Sequence, residues 1–171
     1  MVSELEVLKI CAKGFNLKQK NRVLELKIGL RRHDYAEVFV TLKSKRFKRL
    51  QALLNEFLRD LKLIGFQVLV KDLRVSQSTL SARLKIHASR KLEVFKKLLE
   101  VPKGFVVSYK QLAIVTGLHP RTIGVLMRNN PFPVLIPCHR VVHENKSIGG
   151  YSSGVSKKLM LLRREGVVIK K

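Results

Sequence analysis

Acidic residues are scarce in this sequence, with 12 Asp and Glu against 35 Lys and Arg in 171 residues. The formal net charge of +23 favours a polyanionic partner, because each phosphate that a protein neutralises releases counterions. A solvated, lysine-rich surface is the alternative interpretation of the same charge. Hydrophobic residues make up 46% of the chain, which excludes a disordered basic tail and favours a folded core.

Long apolar runs are also missing, so no segment approaches the roughly 18 to 20 residues that a membrane-spanning helix needs. The first residues, Met1–Glu6, lack the basic region and apolar block of a signal peptide. The two cysteines, Cys11 and Cys138, are too few for a disulfide framework and fit a reducing compartment. We therefore expect no membrane contact and a cytoplasmic location, or a nuclear one in a eukaryote.

One segment has no acidic residue at all. The charge is spread evenly, with +11 on residues 1–85 and +12 on residues 86–171, but Asp and Glu are absent from Val101 to His143. Such a segment suits a surface that contacts phosphates, although chance can produce it in a chain this poor in acids. Its basic residues are Lys103, Lys110, Arg121, Arg128 and Arg140.

The first half has the patterning of a small sheet covered by a helix. Alternating apolar residues predict strands at Leu5–Ile10, Val23–Ile28 and Glu37–Leu42, and an apolar run predicts another at Phe66–Val70. Residues 72–88 are polar and rich in Ser, so we expect a connection there. Six apolar residues at spacings of three and four predict a helix between them, namely Phe47, Leu50, Leu54, Phe57, Leu61 and Ile64.

The second half has mostly helical patterning, and we place the domain boundary between residues 88 and 89. A helix is predicted from about Ser89 to Glu100. Two short helices follow, Tyr109–Thr116 after the capping residue Ser108, and Pro120–Arg128 after a turn with Gly117. Two helices joined in this way are typical of a helix-turn-helix, although any αα-corner gives the same pattern.

A possible reactive site follows these helices, at Cys138-His139-Arg140. By base rate a lone cysteine after an apolar run is buried and inert. The adjacent His139 and Arg140, however, are expected to lower the pKa of the Cys138 thiol and favour the nucleophilic thiolate. Because neighbours on a strand point to opposite faces, His139 reaches the cysteine only if the chain turns there.

The residues after the cysteine complete this set. The glycine-rich loop Ile148–Gly154 carries the hydroxyl groups of Tyr151 and Ser152, which can donate hydrogen bonds to a ligand. A final helix is predicted from about Ser156 to Glu165. Glu165 is a candidate to orient a histidine, or else an exposed partner of a nearby arginine. We expect the inward face of this helix to hold Leu159, Met160 and Leu162.

These residues closely resemble the O6-alkylguanine-DNA alkyltransferases, which repair DNA directly. The resemblance rests on Ile136–Val142 and covers roughly residues 89–166 in the family's order and spacing. Residues 1–88 are similar to the family's N-terminal domain only as a small α/β unit of like length. The other matching segments are Val107–Ala113, Arg121–Pro131, Gly149–Ser152 and Glu165–Gly166.

The resemblance implies how DNA is bound. In the family the helix-turn-helix enters the minor groove, an arginine fills the gap left by a flipped guanine, and a tyrosine crowds the target phosphate. Arg121 matches that arginine and Tyr109 that tyrosine, while Thr122 and Arg128 are further candidates for contacts with DNA. Base flipping is required because the O6 atom of a stacked guanine cannot reach a sulfur in a pocket.

The resemblance also implies the residues that carry out the reaction. Cys138 matches the alkyl acceptor, His139 the base that deprotonates it through a water, and Glu165 the acid that orients this histidine. Asn130 matches the asparagine beneath the active site, and Arg140 a structural arginine. The pocket residues are then Tyr151, Ser152, Val141, Met127 and Gly150, where Gly150 replaces an asparagine that many relatives carry.

Taken together, we expect an α+β protein with a sheet-plus-helix domain at 1–88 and a winged-helix-like domain at 89–171. Its expected activity is that of a single-turnover methylated-DNA–protein-cysteine methyltransferase, which acts as a monomer on double-stranded DNA containing O6-alkylguanine. No cofactor is expected. Some relatives bind zinc, but Cys11, His33 and His87 are too few for a four-ligand site, so no metal is expected either. A DNA-binding protein that senses lesions and a Cys-His hydrolase are the alternatives.

Overall fold

The computed structural model describes residues 2–19, 24–32, 35–43, 47–76 and 79–169. It divides the chain into two compact units that combine helices with small sheets. The first unit is Glu4–Ser89. The second holds the described residues from Arg90 onward together with the short segment before Glu4.

The first unit is a four-stranded antiparallel sheet with two helices. The strand order is β1-β2-β4-β3, so that β2 and β4 are the central strands. In chain order the elements are α1 (Glu4–Lys18), β1 (Leu24–Arg32), β2 (Tyr35–Lys43), α2 (Phe47–Ile64), β3 (Phe66–Val75) and β4 (Thr79–Ala88).

Burial of one sheet face against the helices forms the core of this unit. Helix α2 has the predicted bounds, and its stripe of large apolar residues is buried from Leu50 to Ile64. Helix α1 packs beside it, where the rings of Phe15 and Phe57 meet edge to face at 5.2 Å. The central strands bury every second residue against these helices, namely Val38, Val40, Leu42, Leu80, Ala82 and Leu84.

The strand predicted at Leu5–Ile10 is wrong, because this segment begins helix α1. The buried residues Val7, Leu8, Cys11 and Phe15 recur at the spacing of a helix face rather than at every second position. Two acids in the first turn and Lys18 in the last turn also suit the helix dipole. The six residues Leu5–Ile10 are too few to distinguish the period of a helix from the two-residue period of a strand.

The connection predicted for residues 72–88 is also wrong. Strand β3 continues to Val75, and Thr79–Ala88 is the central strand β4, which pairs with β2 on one side and β3 on the other. Its polar residues alternate with the buried Leu80, Ala82 and Leu84, so Ser81, one of the serines that suggested a linker, belongs to a half-buried strand. The other predicted strands, which correspond to β1, β2 and β3, are confirmed, although Val23 lies outside the described residues.

The second unit is mostly helical. Its only sheet in the described residues is a parallel pair of two-residue strands, β5 and β6. In chain order its elements are α3 (Arg90–Leu99), β5 (Val107–Ser108), α4 (Tyr109–Thr116), α5 (Pro120–Arg128), a 3₁₀ turn (Cys138–Arg140), β6 (Val141–Val142) and α6 (Val155–Arg164).

Local hydrogen bonds define the ends of α4 and α5, whose bounds are those predicted. The Ser108 hydroxyl accepts a hydrogen bond from the Gln111 amide at 3.0 Å, and the Gln111 side chain accepts one from the Ser108 amide at 2.8 Å. Gly117 ends α4 with φ +64°, a left-handed conformation that glycine adopts without strain. His119 then caps α5 through its side chain, and Pro120 occupies the first turn.

Helix α6 differs from its prediction in the face that it buries. Leu162 is fully buried as expected, but Met160 is 41% exposed, whereas the charged residue Lys158 is buried instead. The buried residues Lys158 and Leu162 are one turn apart, as the helix period requires. The unexpected feature is that one of the two buried residues is charged. None of the helices in the described ranges is long and apolar enough to cross a membrane.

Candidate active site

The chain between α5 and β6 folds into a turn that holds the thiol of Cys138. The Asn130 side-chain amide donates hydrogen bonds to the Ile136 carbonyl at 3.0 Å and to the Cys138 sulfur at 3.1 Å. Its oxygen accepts one from the Phe132 amide at 3.0 Å. Asn130 and Cys138 are both buried. A single amide therefore fixes both the shape of the turn and the position of the sulfur.

This turn contains a strained residue. Val134 has φ +77°, a left-handed conformation that a β-branched residue rarely adopts. The Ile136 amide donates to the Phe132 carbonyl at 2.9 Å across it. The Asn130 contacts and this hydrogen bond together hold the strained conformation, which places Cys138 at the start of the 3₁₀ turn.

Burial controls the charge of the thiol. Cys138 is 2% exposed, and this desolvation raises the pKa of the thiol above its ordinary value. The hydrogen bond from Asn130 and the charge of Lys158 act in the opposite direction without reversing the shift. The expectation that His139 and Arg140 lower this pKa is therefore wrong, because the resting thiol is more weakly acidic than a free one.

His139 lies in a relay with Glu165 and Arg140. The His139 Nε2 atom lies 3.0 Å from a Glu165 carboxylate oxygen. Arg140 donates to both oxygens of the same carboxylate, from Nε at 2.9 Å and from a terminal nitrogen at 2.8 Å. Its other terminal nitrogen donates to the Val101 carbonyl at 2.6 Å. The turn at 138–140 allows His139 and Arg140 to reach the same acid.

The charge on Glu165 determines which nitrogen of His139 carries a proton. The Arg140 hydrogen bonds, with a smaller contribution from His139, lower the pKa of Glu165 to about 2. An ionised carboxylate only accepts, so Nε2 of His139 is the protonated nitrogen and donates to it. Among the described residues Nδ1 is buried without a partner. This leaves Nδ1 with a lone pair that can accept a proton.

A cavity of about 760 Å³ opens onto the sulfur. Eight of the sequence-predicted residues line it, which brings together α4, α5, the 3₁₀ turn and the loop before α6. His143, Pro120, Gly124 and Val125 also line it, and the sequence analysis assigned no role to them. The predicted residues that line it are Tyr109, Arg121, Met127, Arg128, Cys138, Gly150, Tyr151 and Ser152.

The remaining predicted residues do not line this cavity. Asn130 contacts the Cys138 sulfur and the turn, and His139 and Arg140 both contact Glu165. Val141 is fully buried in β6, and Thr122 lies in the first turn of α5. The structure thus brings eight of the predicted residues to the cavity and leaves the other six outside its lining.

Tyr151 presents its hydroxyl group to the thiol. This hydroxyl is buried and close enough to Cys138 to lower the pKa of the thiol, but its geometry does not give it a well-formed hydrogen bond to any described residue. Burial, followed by the proximity of Cys138, raises the pKa of this phenol to about 12, so it remains protonated. Buried hydroxyl groups are seldom left without a partner, which is consistent with a role in binding a ligand that enters the cavity.

Lys158 is a further residue of the site that the sequence analysis missed. It is fully buried, and its ammonium group donates to the Val141 carbonyl at 2.5 Å and to the Gly150 carbonyl at 3.2 Å. It also lies 5.9 Å from the centre of the Tyr109 ring. Burial lowers its pKa to about 8, and the nearby Cys138 opposes this shift. The only available signal was its position one turn before Leu162 on α6.

Comparison with known proteins shows what this arrangement is similar to. Residues 89–167 match the profile of the 6-O-methylguanine DNA methyltransferase DNA-binding domain. The match covers 79 of the 171 residues. The matched segment contains every residue of the turn, the relay and the cavity described above.

Curated proteins are also similar to part of the chain. Over 79 residues the chain is 49% identical to a methylated-DNA–protein-cysteine methyltransferase of Saccharolobus solfataricus, a match that covers 46% of this chain and 52% of the relative. The corresponding protein of Pyrobaculum aerophilum is 51% identical over 71 residues, covering 42% and 48%. The chain therefore spans about half the length of the curated relatives that it matches.

A solved structure is also similar over part of the chain. It is a crystal structure of Mycobacterium tuberculosis OGT in complex with DNA, 34% identical, with a TM-score of 0.41. The match covers 43% of this chain and 46% of that one.

Proposed function

We propose that this protein repairs O6-alkylguanine in double-stranded DNA by transferring the alkyl group irreversibly to its own Cys138. The observation that carries the proposal is a buried thiol that lines a cavity, at the start of a 3₁₀ turn whose next residue, His139, pairs with Glu165. A sulfur in this position is reached only by a group that enters the cavity. A flipped base is such a group, and a base within the duplex is not.

The relay supplies the base that the thiol requires. Since burial raises the pKa of Cys138, the thiol must lose its proton as it reacts. His139 accepts this proton through a water at Nδ1, while Glu165 holds the ring at Nε2 and stabilises the imidazolium that forms. Arg140 keeps Glu165 ionised and in place.

The transfer itself is a displacement at carbon. The sulfur attacks the alkyl carbon, the S–C bond forms, and the bond from carbon to guanine O6 breaks with its electron pair on the guanine. The proton lost from the thiol returns to the guanine through His139, so guanine leaves in neutral form. Donors from Tyr151 and Ser152 stabilise the negative charge that develops on the base. The thioether is a poor leaving group, so each molecule reacts once.

The DNA-binding surface is assigned to α4 and α5 acting as a helix-turn-helix. Arg121 and Arg128 line the cavity from α5, and Tyr109 lines it from the start of α4. We assign Arg121 to the gap that the flipped guanine leaves, with Thr122 beside it in the first turn of α5. Their place in a segment without a single acid favours contact with phosphates.

Intact mass spectrometry tests the proposal. Excess duplex DNA with one O6-methylguanine should add a single methyl mass to the protein, and Cys138→Ala should gain none. The matched control is Cys11→Ala, which removes the other buried thiol and should leave the gain unchanged. Tight binding with no change in mass would instead indicate a lesion sensor. Continued turnover of substrate would indicate a hydrolase.

A second measurement tests base flipping separately. Arg121→Ala should slow repair of duplex DNA far more than it slows reaction with free O6-benzylguanine, because only the duplex needs the base to be extruded. Equal slowing of both reactions would refute the role assigned to Arg121 while leaving alkyl transfer intact.

A further inference from the structure

One titratable side chain at the cavity, His143, has no part in the proposed reaction. It follows β6 directly, is exposed, and lines the same cavity as Cys138. Its ring lies beside that of Tyr109, with centroids 5.4 Å apart and the planes inclined by 46°. Neither ring nitrogen forms a hydrogen bond to another residue that the structure describes. The nitrogens of His143 are therefore available to a ligand.

The backbone around His143 holds this ring in place. The His143 amide donates to the Ser147 carbonyl at 3.0 Å, and the Lys146 amide donates to the His143 carbonyl at 3.0 Å. Gly149, with φ +65°, lies against both rings: an added Cβ would come within 3.1 Å of Tyr109 Cε2 and 3.3 Å of His143 Nε2. The ring thus packs on a backbone that has no side chain at this point.

The charges around the ring favour an anion. The cavity lining includes two arginines and His143 but no carboxylate from the described residues. The neighbouring Glu144 is engaged outside the cavity, where it pairs with Lys110 at 2.9 Å. The other titratable or charged groups facing the cavity or near the Tyr109 ring are Tyr109, Arg121, Arg128, Cys138, Tyr151 and Lys158, with Lys146 on the turn of His143 itself.

From this arrangement we infer that His143 is a proton-dependent ligand for a DNA phosphate at the mouth of the cavity. The inference rests on the proposed function, in that the partner is DNA. The imidazolium form donates to the phosphate and adds a positive charge among cations that attract the same group. Only the imidazolium form carries this charge and donates from both ring nitrogens, so the contact depends on protonation of the ring.

The experiment measures equilibrium binding with the reaction blocked. The Cys138→Ala protein binds a duplex with one O6-methylguanine, and its Kd is measured against salt concentration at pH 6 and pH 8. Binding should be about tenfold tighter at pH 6, and the slope of log K against log salt should be steeper by about 0.9, the value for one extra phosphate contact. In that background His143→Gln should remove both differences, and His143→Lys should bind tightly at both pH values.

Two controls identify the source of the effect. His119→Asn removes another exposed histidine but keeps an oxygen that can cap α5, so the pH difference should persist. Duplexes with one neutral methylphosphonate on either side of the alkylated guanine should abolish the difference at one of the two positions. Persistence of the pH effect in His143→Gln, or in both modified duplexes, would overturn the inference. Failure of the function itself would appear separately, as no methyl gain by the wild-type protein.

Discussion

The contribution of the Glu165 carboxylate, which pairs with His139 and Arg140, can be tested with the neutral substitution Glu165→Gln. In the wild type, Arg140 and His139 lower the pKa of Glu165 from 4.5 to about 2. A shift of roughly 2.5 units at 1.36 kcal/mol per unit corresponds to about 3 kcal/mol of stability from the ionised form. Glutamine keeps one oxygen that can accept a hydrogen bond, worth about 1 kcal/mol. We therefore expect the substitution to cost about 2 kcal/mol at pH 7.

The dependence on pH gives the sign of this effect. A carboxyl group whose folded pKa is lowered stabilises the fold above its unfolded pKa, and the contribution disappears as the pH falls through the folded pKa. For Glu165 the contribution is complete above about pH 5, falls to about 1 kcal/mol at pH 3 and is nearly lost at pH 2. The difference between wild type and variant should shrink over the same interval.

Urea unfolding at pH 7, 5 and 3 measures this difference. Glu144→Gln is the matched control, because Glu144 pairs with Lys110 on the surface with both side chains more than half exposed. Its loss should change stability by less than about 0.5 kcal/mol at every pH. An equal cost of Glu165→Gln at pH 7 and pH 3 would refute the reasoning, since the cost would then come from packing rather than from charge.

Three further substitutions follow from the geometry of the site. Asn130→Ala removes three hydrogen bonds of the cysteine turn and should lower the unfolding free energy by about 2 kcal/mol in urea, while slowing alkylation of Cys138 by O6-benzylguanine. Lys158→Met should slow alkylation more at pH 7 than at pH 9, because the ammonium group, whose pKa is about 8, favours the thiolate only while it is charged; an equal loss at both pH values would argue against this. Gly149→Ala should lower Tm and weaken duplex binding, since its methyl group would displace the Tyr109 ring.

The best-predicted part of the fold is the element whose apolar residues follow one period over a long segment. The stripe from Phe47 to Ile64 spans five turns, so its helix and buried face followed from spacing alone. Helices α4 and α5 were predictable from their caps, Ser108, Gly117 and Pro120. Strand β4 was missed because polar residues on its open face gave it the composition of a linker, although its inward positions alternate correctly.

The candidate site shows a different limit. The motif around Cys138 and its spacing to Glu165 led to residues that the fold does bring together, because they lie within short, matched segments. Lys158 was missed because a lysine is rarely fully buried, and only the three-dimensional arrangement supplies the two carbonyls that accept hydrogen bonds from it. The helix period places residue 158 on the same face as Leu162, but it carries no information about which groups contact that residue.

Burial alone does not explain why one cysteine of this chain is suited to react and the other is not. Both thiols are buried, and burial raises the pKa of each. At Cys11 the carboxylate of Asp60 raises it further, since a second negative charge nearby is unfavourable. At Cys138 the neighbours act in the opposite direction, with a hydrogen bond from Asn130 and the positive charge of Lys158. The cavity also gives a ligand access to Cys138, and in the proposed mechanism His139 supplies the base, so the difference between the two thiols lies in their neighbours rather than in their depth.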